Sequence, residues 1–357
     1  MAETEAIKGK IYKCPNCGSD LRFDPQTNRL KCTHCGSLQD KVPVKSAFEI
    51  PYTPNSEKGF VPWGNAKTLK CRSCGAEFSL KEYETAAACP FCATSNIMLT
   101  DDIPGLKPNA ILPFSITQEE AKESFKAWIK KRAMSPNSLK KLAEERDLKG
   151  LYVPMFTFDT NTTSTYSIRY GVHRTVTTGS GDSRKTVTVT DWYTDSGMLA
   201  KAFDDVQIEA SQFLLQKNVN KMGGFDTDKS VFYDSQFIAG FGAERYSVGL
   251  DDSWEKAKMV IDSSIKAKIL SRYNYDELDY LNVSTQYNEK TYKYLLAPVW
   301  FMVYNYKGQN YTCVINGRTG TADGRAPLSK IKVALVSVAG AAVLGAIFYL
   351  IYKFAIE

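Results

Sequence analysis

Eight of the nine cysteines in this chain fall into four C-x-x-C pairs, and this pattern constrains the fold more than any other feature. The pairs form two halves, and residues 18–31 and 75–88 give the same spacing between the pairs of each half. Four thiolates at this spacing predict a closed tetrahedral zinc site. We therefore expect two small zinc ribbons and two zinc ions per chain. The expected ligands are Cys14, Cys17, Cys32, Cys35, Cys71, Cys74, Cys89 and Cys92.

The residue after each pair also bears on the metal geometry. Gly18, Gly36 and Gly75 follow three of the pairs, and glycine readily adopts the positive φ that turns the backbone beneath a metal. Ala93 takes this place after the fourth pair, so that knuckle departs from the pattern. A closed four-sulfur site leaves no open coordination position, so the expected zinc is structural and not catalytic.

Other uses of paired cysteines fit less well. No secretory signal precedes the pairs, which disfavours a disulfide framework. A thioredoxin-type dithiol belongs in a βαβ unit, and the cysteine-rich region has no such pattern. Iron in a rubredoxin-like site uses the same four thiolates, so the choice between zinc and iron stays open on the ligands alone.

Changes in composition predict how the chain divides into segments. A polar N-terminus precedes the first ribbon, and prolines and few periodic apolar residues indicate a semi-extended linker between the ribbons. An α+β domain with a largely antiparallel sheet follows the second ribbon. The expected segments are a flexible N-terminus 1–10, ribbon one 11–40, a linker 41–67, ribbon two 68–100, the α+β domain 104–326 and a membrane helix 333–352.

Two helices in the α+β domain have clear starting signals. Thr117 and Glu120 form a capping box ahead of an apolar face. Asp252, with Glu255 three residues later, is expected to cap the second helix. The apolar positions expected to be buried are Phe125, Trp128 and Ile129 on the first helix and Trp254, Ala257, Ile261, Ile265 and Ile269 on the second.

Strand signals fill the rest of this domain. The run 151–158 is apolar and aromatic, and Pro154 limits it to an edge strand or a strand start. Threonine-rich stretches at 163–178 and 185–193 flank a glycine-containing turn and predict a long hairpin. Two further strands are expected near 278–287 and 292–306, followed by a closing meander to about 324.

Residues 333–352 form an uncharged stretch of twenty residues, long enough for a helix to cross the ~30 Å hydrocarbon core of a bilayer. Arg325, Lys330 and Lys332 precede it and Lys353 follows it. The positive-inside rule then predicts a single-pass protein of the cell membrane with its N-terminal domains in the cytoplasm. Ser337, Ala341 and Gly345 form a small-residue row that fits another helix, although small residues are common in membrane spans.

The charge balance argues against a nucleic-acid partner. The chain has a formal net charge of +6, and two four-thiolate zinc sites would contribute −2 each. Metallated region 1–100 is then close to neutral, whereas phosphate binding needs a stronger basic bias. No nucleotide-binding loop and no nucleophile elbow is present. The two histidines, His34 and His173, do not belong to a catalytic pattern, so we expect no enzyme activity.

A family resemblance rests on several segments besides the second ribbon. They are 111–114 (ILPF), the helix 119–128, 152–159 (YVPMFTFD), 244–250 (ERYSVGL) and 314–320 (VINGRTG). Together they resemble a zinc-ribbon membrane-protein family of Gram-positive bacteria, and the ribbons alone are similar to transcription-factor-B-type ribbons. Some members are encoded beside a phage-shock-protein-A-like coat protein and an SPFH-like partner. Met155-Phe156 stands where a tryptophan is common in the family.

The resemblance implies a membrane-anchored adaptor that recruits such protein partners to the membrane in envelope stress or membrane remodelling. Proteins of this kind are often named replication-restart helicases, but this chain lacks the ATP-binding loop that a helicase needs. The alternative is a membrane-tethered nucleic-acid-binding protein of transcription or replication. In that case Tyr12, Phe23, Phe78 and Phe91, beside the knuckles, would stack on bases. The same aromatic residues would otherwise pack around the metal.

Overall fold

The structure is a computed structural model that describes most of the chain. The described residues are 12–56, 68–72, 77–79, 89, 97–100, 106–136, 139, 148–181, 184–211, 214, 216–307 and 309–356. Structural statements below concern these residues. Two of the predicted metal ligands, Cys74 and Cys92, lie outside them.

Strands dominate the described part of the chain, and most of their pairings are antiparallel, as the sequence predicts. The strands are β1 Leu21–Asp24, β2 Arg29–Cys32, β3 Leu38–Lys41, β4 Ile50–Pro51, β5 Thr68–Cys71, β6 Glu77–Ser79, β7 Ile97–Thr100, β8 Ala110–Ile111, β9 Lys149–Thr178, β10 Lys185–Glu209, β11 Val231–Phe232, β12 Gly242–Glu244, β13 Glu277–Tyr306, β14 Gln309–Asn316 and β15 Ala322–Gly324. The helices are α1 Gln118–Lys130, α2 Gln216–Lys221, α3 Leu250–Leu270 and α4 Lys330–Ile356.

These strands form two sheets. The first is a small antiparallel sheet in the order β1-β2-β3. The second follows the order β11-β8-β13-β9-β12-β6-β5-β7, with β10 on β9, β4 and β14 on β13, and β15 on β14. The cysteine-bearing strand β5 therefore belongs to the large sheet, whereas β2 belongs to the small one.

Two thirty-residue strands, β9 and β13, form the centre of the large sheet. Their pairing runs from Lys149 opposite Phe301 to Gly171 opposite Glu277. The sequence predicts two strands where β13 is one, because a bulge between 288 and 291 interrupts the pattern and Glu289 has a φ of 50°. The predicted hairpin is present as β9–β10, but both strands are longer than expected.

Pro154 is not at an edge, and the sequence-based prediction for this residue is wrong. It lies inside β9 opposite Leu296 of β13. Its carbonyl oxygen accepts a hydrogen bond from the backbone nitrogen of Ala210, on the other side of β9. In a β-strand, the backbone nitrogen and the carbonyl oxygen of one residue point to the same side. The Pro154 nitrogen, which carries no hydrogen, therefore also faces away from β13. On that side of β9 the neighbouring strand changes, because β12 lies opposite Tyr152 and β10 lies opposite Met155. The missing N–H of Pro154 therefore costs no hydrogen bond between strands.

The start of α1 agrees with the sequence, and the start of α3 does not. Thr117 caps α1, and both hydrogen bonds of the capping box with Glu120 are present. The N-cap of α3 is Gly249, without a side-chain cap, so the predicted cap at Asp252 is wrong. Leu250 is buried in the first turn and extends the helix past that signal. The buried faces match the expectation on both helices.

Residues 42–56, which we call the strap, lie along the large sheet. Backbone pairing joins β4 of the strap to β13, and the backbone nitrogen of Tyr52 donates to the oxygen of Lys290 at 2.8 Å. Tyr52 is buried, contacts Trp254 with ring centroids 5.3 Å apart, and donates its hydroxyl to Asp251 at 2.8 Å. The strap lies within the segment expected to be a semi-extended linker, and it packs against the large sheet.

The helix α4 differs from every other element in its exposure. Residues Lys330–Lys353 have a mean hydropathy of 2.3 in their most apolar window, and none of that window is buried. A helix of this length and composition is suited to cross a membrane.

Candidate metal centre

The sulfurs of Cys14, Cys17, Cys32 and Cys35 converge on one point. Their Sγ atoms all lie within 4.8 Å of one another. The sulfur–sulfur distance is 3.6 Å between Cys14 and Cys35 and 3.5 Å between Cys17 and Cys32. A tetrahedral ion with metal–sulfur bonds of about 2.3 Å sets such distances at about 3.8 Å. The four thiols are therefore close enough to bind one metal ion, and their chemistry fits zinc.

Two knuckles place these sulfurs, and each ends in a glycine as expected. Gly18 and Gly36 have φ angles of 74° and 73°. Their backbone nitrogens donate to the carbonyl oxygens of Cys14 at 2.8 Å and Cys32 at 3.2 Å. These bonds close each loop beneath its pair of sulfurs, a conformation that favours glycine.

Hydrogen bonds to the sulfurs favour the thiolate form that a metal requires. The Ser37 hydroxyl lies 3.1 Å from the Cys14 sulfur, and this contact is the main cause that lowers the pKa of Cys14 to about 6. Bonds from Ser19 lower the pKa of Cys17. The backbone nitrogens of His34 and Cys35 each lie 3.4 Å from the Cys32 sulfur and act to lower its pKa, but burial and the neighbouring thiols of Cys17 and Cys35 raise the pKa of Cys32 on balance. The role of Ser37 is not predictable from the sequence, because a single serine after a knuckle is not a recognisable signal.

The second half is described only in part. Cys71, at the end of β5, and Cys89 are both buried, with exposed fractions of 0% and 1%. Both pack in the apolar cluster that contains Leu112 and Leu151 of the large sheet. Their predicted co-ligands Cys74 and Cys92 lie outside the described residues, so the four-sulfur geometry of this half stays a prediction.

The first half packs on the large domain through its aromatic residues. Phe23 is buried and meets Phe237 edge-on, with ring centroids 5.3 Å apart. The backbone nitrogen of Phe23 also donates to the oxygen of Ala239 at 2.9 Å. The Tyr12 hydroxyl lies 2.8 Å from that of Ser235. The tips of the knuckles, residues 15–18 and 33–36, are exposed.

A second cluster of charged groups lies where the strap crosses the sheet. Glu49, Asp159 and Asp205 have carboxylate oxygens within 4.8 Å of one another. The amino group of Lys293 lies 2.7 Å from both Glu49 and Asp205. Burial raises the pKa of Glu49 and of Asp159. The cluster already contains its own cation, so it serves to fasten Glu49 of the strap to β13.

The remaining candidate groups have structural partners. His34 lies in the knuckle, and the Nε2 atom of His173 lies 2.7 Å from Glu277, which raises the pKa of His173. Cys313 is buried in β14, and burial raises its pKa.

A groove of about 390 Å³ lies between α3 and β13. Its carboxylates are also engaged: Glu255 pairs with Lys258 at 2.6 Å, and Asp262 accepts the hydroxyl of Tyr287. Across the described residues, we find no nucleophile paired with a base of the kind that covalent catalysis uses.

Comparison with known proteins adds one relative. The chain is 28% identical over 327 residues to the uncharacterized protein YdjG of Bacillus subtilis (strain 168), which covers 90% of this chain and 92% of the relative. No family model matches the chain. No solved structure matches it significantly.

Proposed function

We propose that this chain is a membrane-anchored adaptor whose two zinc ribbons and α+β domain face the cytoplasm and recruit protein partners to the membrane. The observation that carries the proposal is the exposed apolar helix α4, in a chain that also contains a four-sulfur cluster. Such a cluster holds structure and leaves no position for a substrate. The proposed setting is envelope stress or membrane remodelling.

Two zinc ions per chain are part of the proposal. The first half supports one ion by geometry. For the second half, support comes from the repeated spacing and from the burial of Cys71 and Cys89, since one buried thiol from each pair fits metal ligands of one ribbon. The proposed ligands of the second ion are Cys71, Cys74, Cys89 and Cys92.

The identity of the partners rests on the family resemblance. Similarity to a Bacillus protein over 90% of the chain is in line with the Gram-positive source of that family. The proposed partners are a phage-shock-protein-A-like coat protein and an SPFH-like protein. The exposed knuckle tips of the first half offer them a surface that the metal would hold rigid, at little cost in ordering.

The packing of the first half disfavours the rival nucleic-acid reading. Tyr12 and Phe23 are engaged with Ser235 and Phe237, so neither presents a free ring for base stacking. The side chains of Phe78 and Phe91 lie outside the described residues.

Affinity purification of the full chain from membranes, at low and high salt and after nuclease treatment, tests the proposal. We expect a coat-like protein to co-purify under all these conditions. The variant Cys14→Ser with Cys17→Ser, which breaks the half that carries the proposed docking surface, should lose the partner while α4 keeps the chain in the membrane. Deletion of 331–357 should release a folded, soluble protein, and it serves as the control for anchoring.

Three results would contradict the adaptor. Partner recovery that disappears on nuclease treatment would favour the nucleic-acid alternative. Tight, salt-sensitive binding of the full chain to DNA or RNA would do the same. A chain that remains in the soluble fraction with α4 intact would refute the membrane anchor itself.

A further inference from the structure

Basic residues from two separate parts of the chain meet at the start of α4. One group ends α1 and the turn after it, and the other precedes the uncharged part of α4. The stretches 130–136 and 325–332 contain no acidic residue. We call this set the basic collar, and it consists of Lys130, Lys131, Arg132, Arg325, Lys330 and Lys332.

Hydrogen bonds hold the two groups together. The backbone nitrogen of Ser329 donates to the carbonyl oxygen of Met134 at 2.8 Å. The amino group of Lys332 donates to the oxygens of Ala133 at 3.1 Å and Ser135 at 2.7 Å. These hydrogen bonds hold the turn after α1 beside the start of α4, although the two segments are far apart in the sequence.

The collar keeps much of its charge available to an outside partner. Lys130, Lys131 and Lys330 are exposed, and no described carboxylate forms an ion pair with them. Arg132 is ordered differently, because its guanidinium stacks on the Trp128 ring at 3.6 Å. The collar thus combines cations that are held by neighbouring groups with cations that are exposed to solvent.

Apolar side chains lie among these cations. Leu328 and Ile331 are 67% and 75% exposed, and both stand at the same end of α4 as Lys330. Water is a poor environment for such side chains, whereas the boundary between headgroups and acyl chains accepts apolar and cationic groups together. Nucleic acid would match the charge but not the apolar residues.

We propose that the basic collar binds anionic lipid headgroups of the bilayer in which α4 lies. This inference rests on the membrane anchor of the proposed function and adds the class of lipid to it. The apolar helix supplies insertion into any bilayer, so it gives no preference for headgroup charge. Each basic residue near an anionic membrane surface strengthens binding to that surface by roughly five-fold, so the collar supplies a preference for anionic headgroups. The collar would also fix the side of the domain that faces the membrane.

The test uses the full chain reconstituted in bilayers of phosphatidylcholine mixed with phosphatidylglycerol. The chain is extracted in a mild neutral detergent, and the ratio of the two lipids that stay bound is measured against the bulk ratio. We expect phosphatidylglycerol to be enriched on the wild-type chain. In Lys130→Gln with Lys131→Gln, enrichment should fall by about five-fold for each lysine removed. Glutamine avoids placing a negative charge at the C-terminus of α1.

The matched control is Lys266→Gln with Lys268→Gln on α3. Both lysines are exposed, but α3 packs on β9 and β10, whereas α1 packs on β14 and β15. The control should keep the wild-type enrichment. If the wild-type chain is anchored but shows no enrichment of phosphatidylglycerol, the collar does not bind anionic lipid, and the membrane anchor is unaffected. The same conclusion follows if Lys130→Gln with Lys131→Gln leaves the ratio of the two bound lipids unchanged. A wild-type chain that does not enter either bilayer would refute the proposed function instead.

Discussion

The two cysteine halves have the same spacing but different places in the fold. The first half carries its own three-stranded sheet and touches the large domain through side chains and a few backbone bonds. The strands of the second half extend the large sheet itself, because β6 pairs with β12 and places Ser79 opposite Ala243. A ligand pattern thus predicts what a segment binds, but it does not specify which sheet the segment joins.

This difference also changes what a metal would stabilise. In the first half, loss of the ion would loosen a small sheet whose strands do not pair with the large sheet, although Phe23 and Cys32 pack in the main apolar core. In the second half, Cys71 packs in one apolar cluster with residues of β8, β9 and β13. Loss of an ion there would loosen the end of the large sheet.

The largest expected effect comes from removing each metal site in turn. A structural zinc ion contributes roughly 10–16 kcal/mol of apparent folding free energy. We expect Cys14→Ser with Cys17→Ser to raise amide exchange only in 12–41 and in the loop 233–240. We expect Cys71→Ser with Cys74→Ser to raise it also in β12 and in the first part of β9, with a lower melting temperature.

Zinc content gives the control for both variants. Wild type should hold two zinc ions and each variant one, by elemental analysis. Iron in protein purified in air, or a single ion in wild type, would contradict the two-zinc interpretation. Equal amide-exchange patterns in the two variants would contradict the contrast between the halves.

A smaller effect is expected at the strap, which connects the two halves. In Lys293→Met, the carboxylates of Glu49 and Asp205 lose the amino group that lies between them. Removing one partner of a buried ion pair typically costs about 3–5 kcal/mol of unfolding free energy. Urea denaturation measures the loss. The second change Glu49→Gln, made in the Lys293→Met background, should restore part of it because one uncompensated carboxylate is removed.

Full stability in Lys293→Met would mean that the backbone pairing of the strap and its contacts through Phe48 and Tyr52 are sufficient to hold it. The exposed pair of Arg174 with Asp191 is the matched comparison. Its removal should change stability by at most about 1 kcal/mol, because solvent screens such pairs.

The smallest effect concerns the one knuckle that departs from the glycine pattern. Gly36 has a positive φ and no atom near the position of an added Cβ, so Gly36→Ala should cost only the backbone penalty of about 1–2 kcal/mol. The reciprocal Ala93→Gly should stabilise the second half by a similar amount if both knuckles share one conformation. Competition with a chelator measures the metal affinity of both variants. A loss of affinity in Ala93→Gly would show that the fourth knuckle turns differently.

Features that depend on neighbours in sequence were predictable. The capping box of Thr117 with Glu120 and the apolar face of α3 follow from spacings of three and four residues, and both are present. The four sulfurs of the first half also meet as their spacing indicates. The apolar stretch at 333–352 is helical within α4, as its length predicts.

Features set by distant contacts were not predictable. The Asp251 carboxylate accepts hydrogen bonds from the Tyr52 hydroxyl and the Asn55 backbone nitrogen, almost two hundred residues away. The helix α3 that carries Asp251 starts one turn before its expected cap. Pro154 is tolerated inside a strand only because the neighbour of β9 changes there. The charged cluster around Lys293 likewise joins residues from the strap, β10 and β13.

The long pairing of β9 with β13 has a consequence in time. Lys149 pairs with Phe301, more than a hundred residues later, whereas Thr178 pairs with nearby Lys185. Local contacts form quickly, and contacts between distant residues must first overcome the entropy of closing a long loop. The β9–β10 hairpin therefore forms early, and one edge of β9 stays open until β13 arrives. We expect closure of this edge to limit the rate of folding, and until then the open edge of the hairpin is exposed to misassembly.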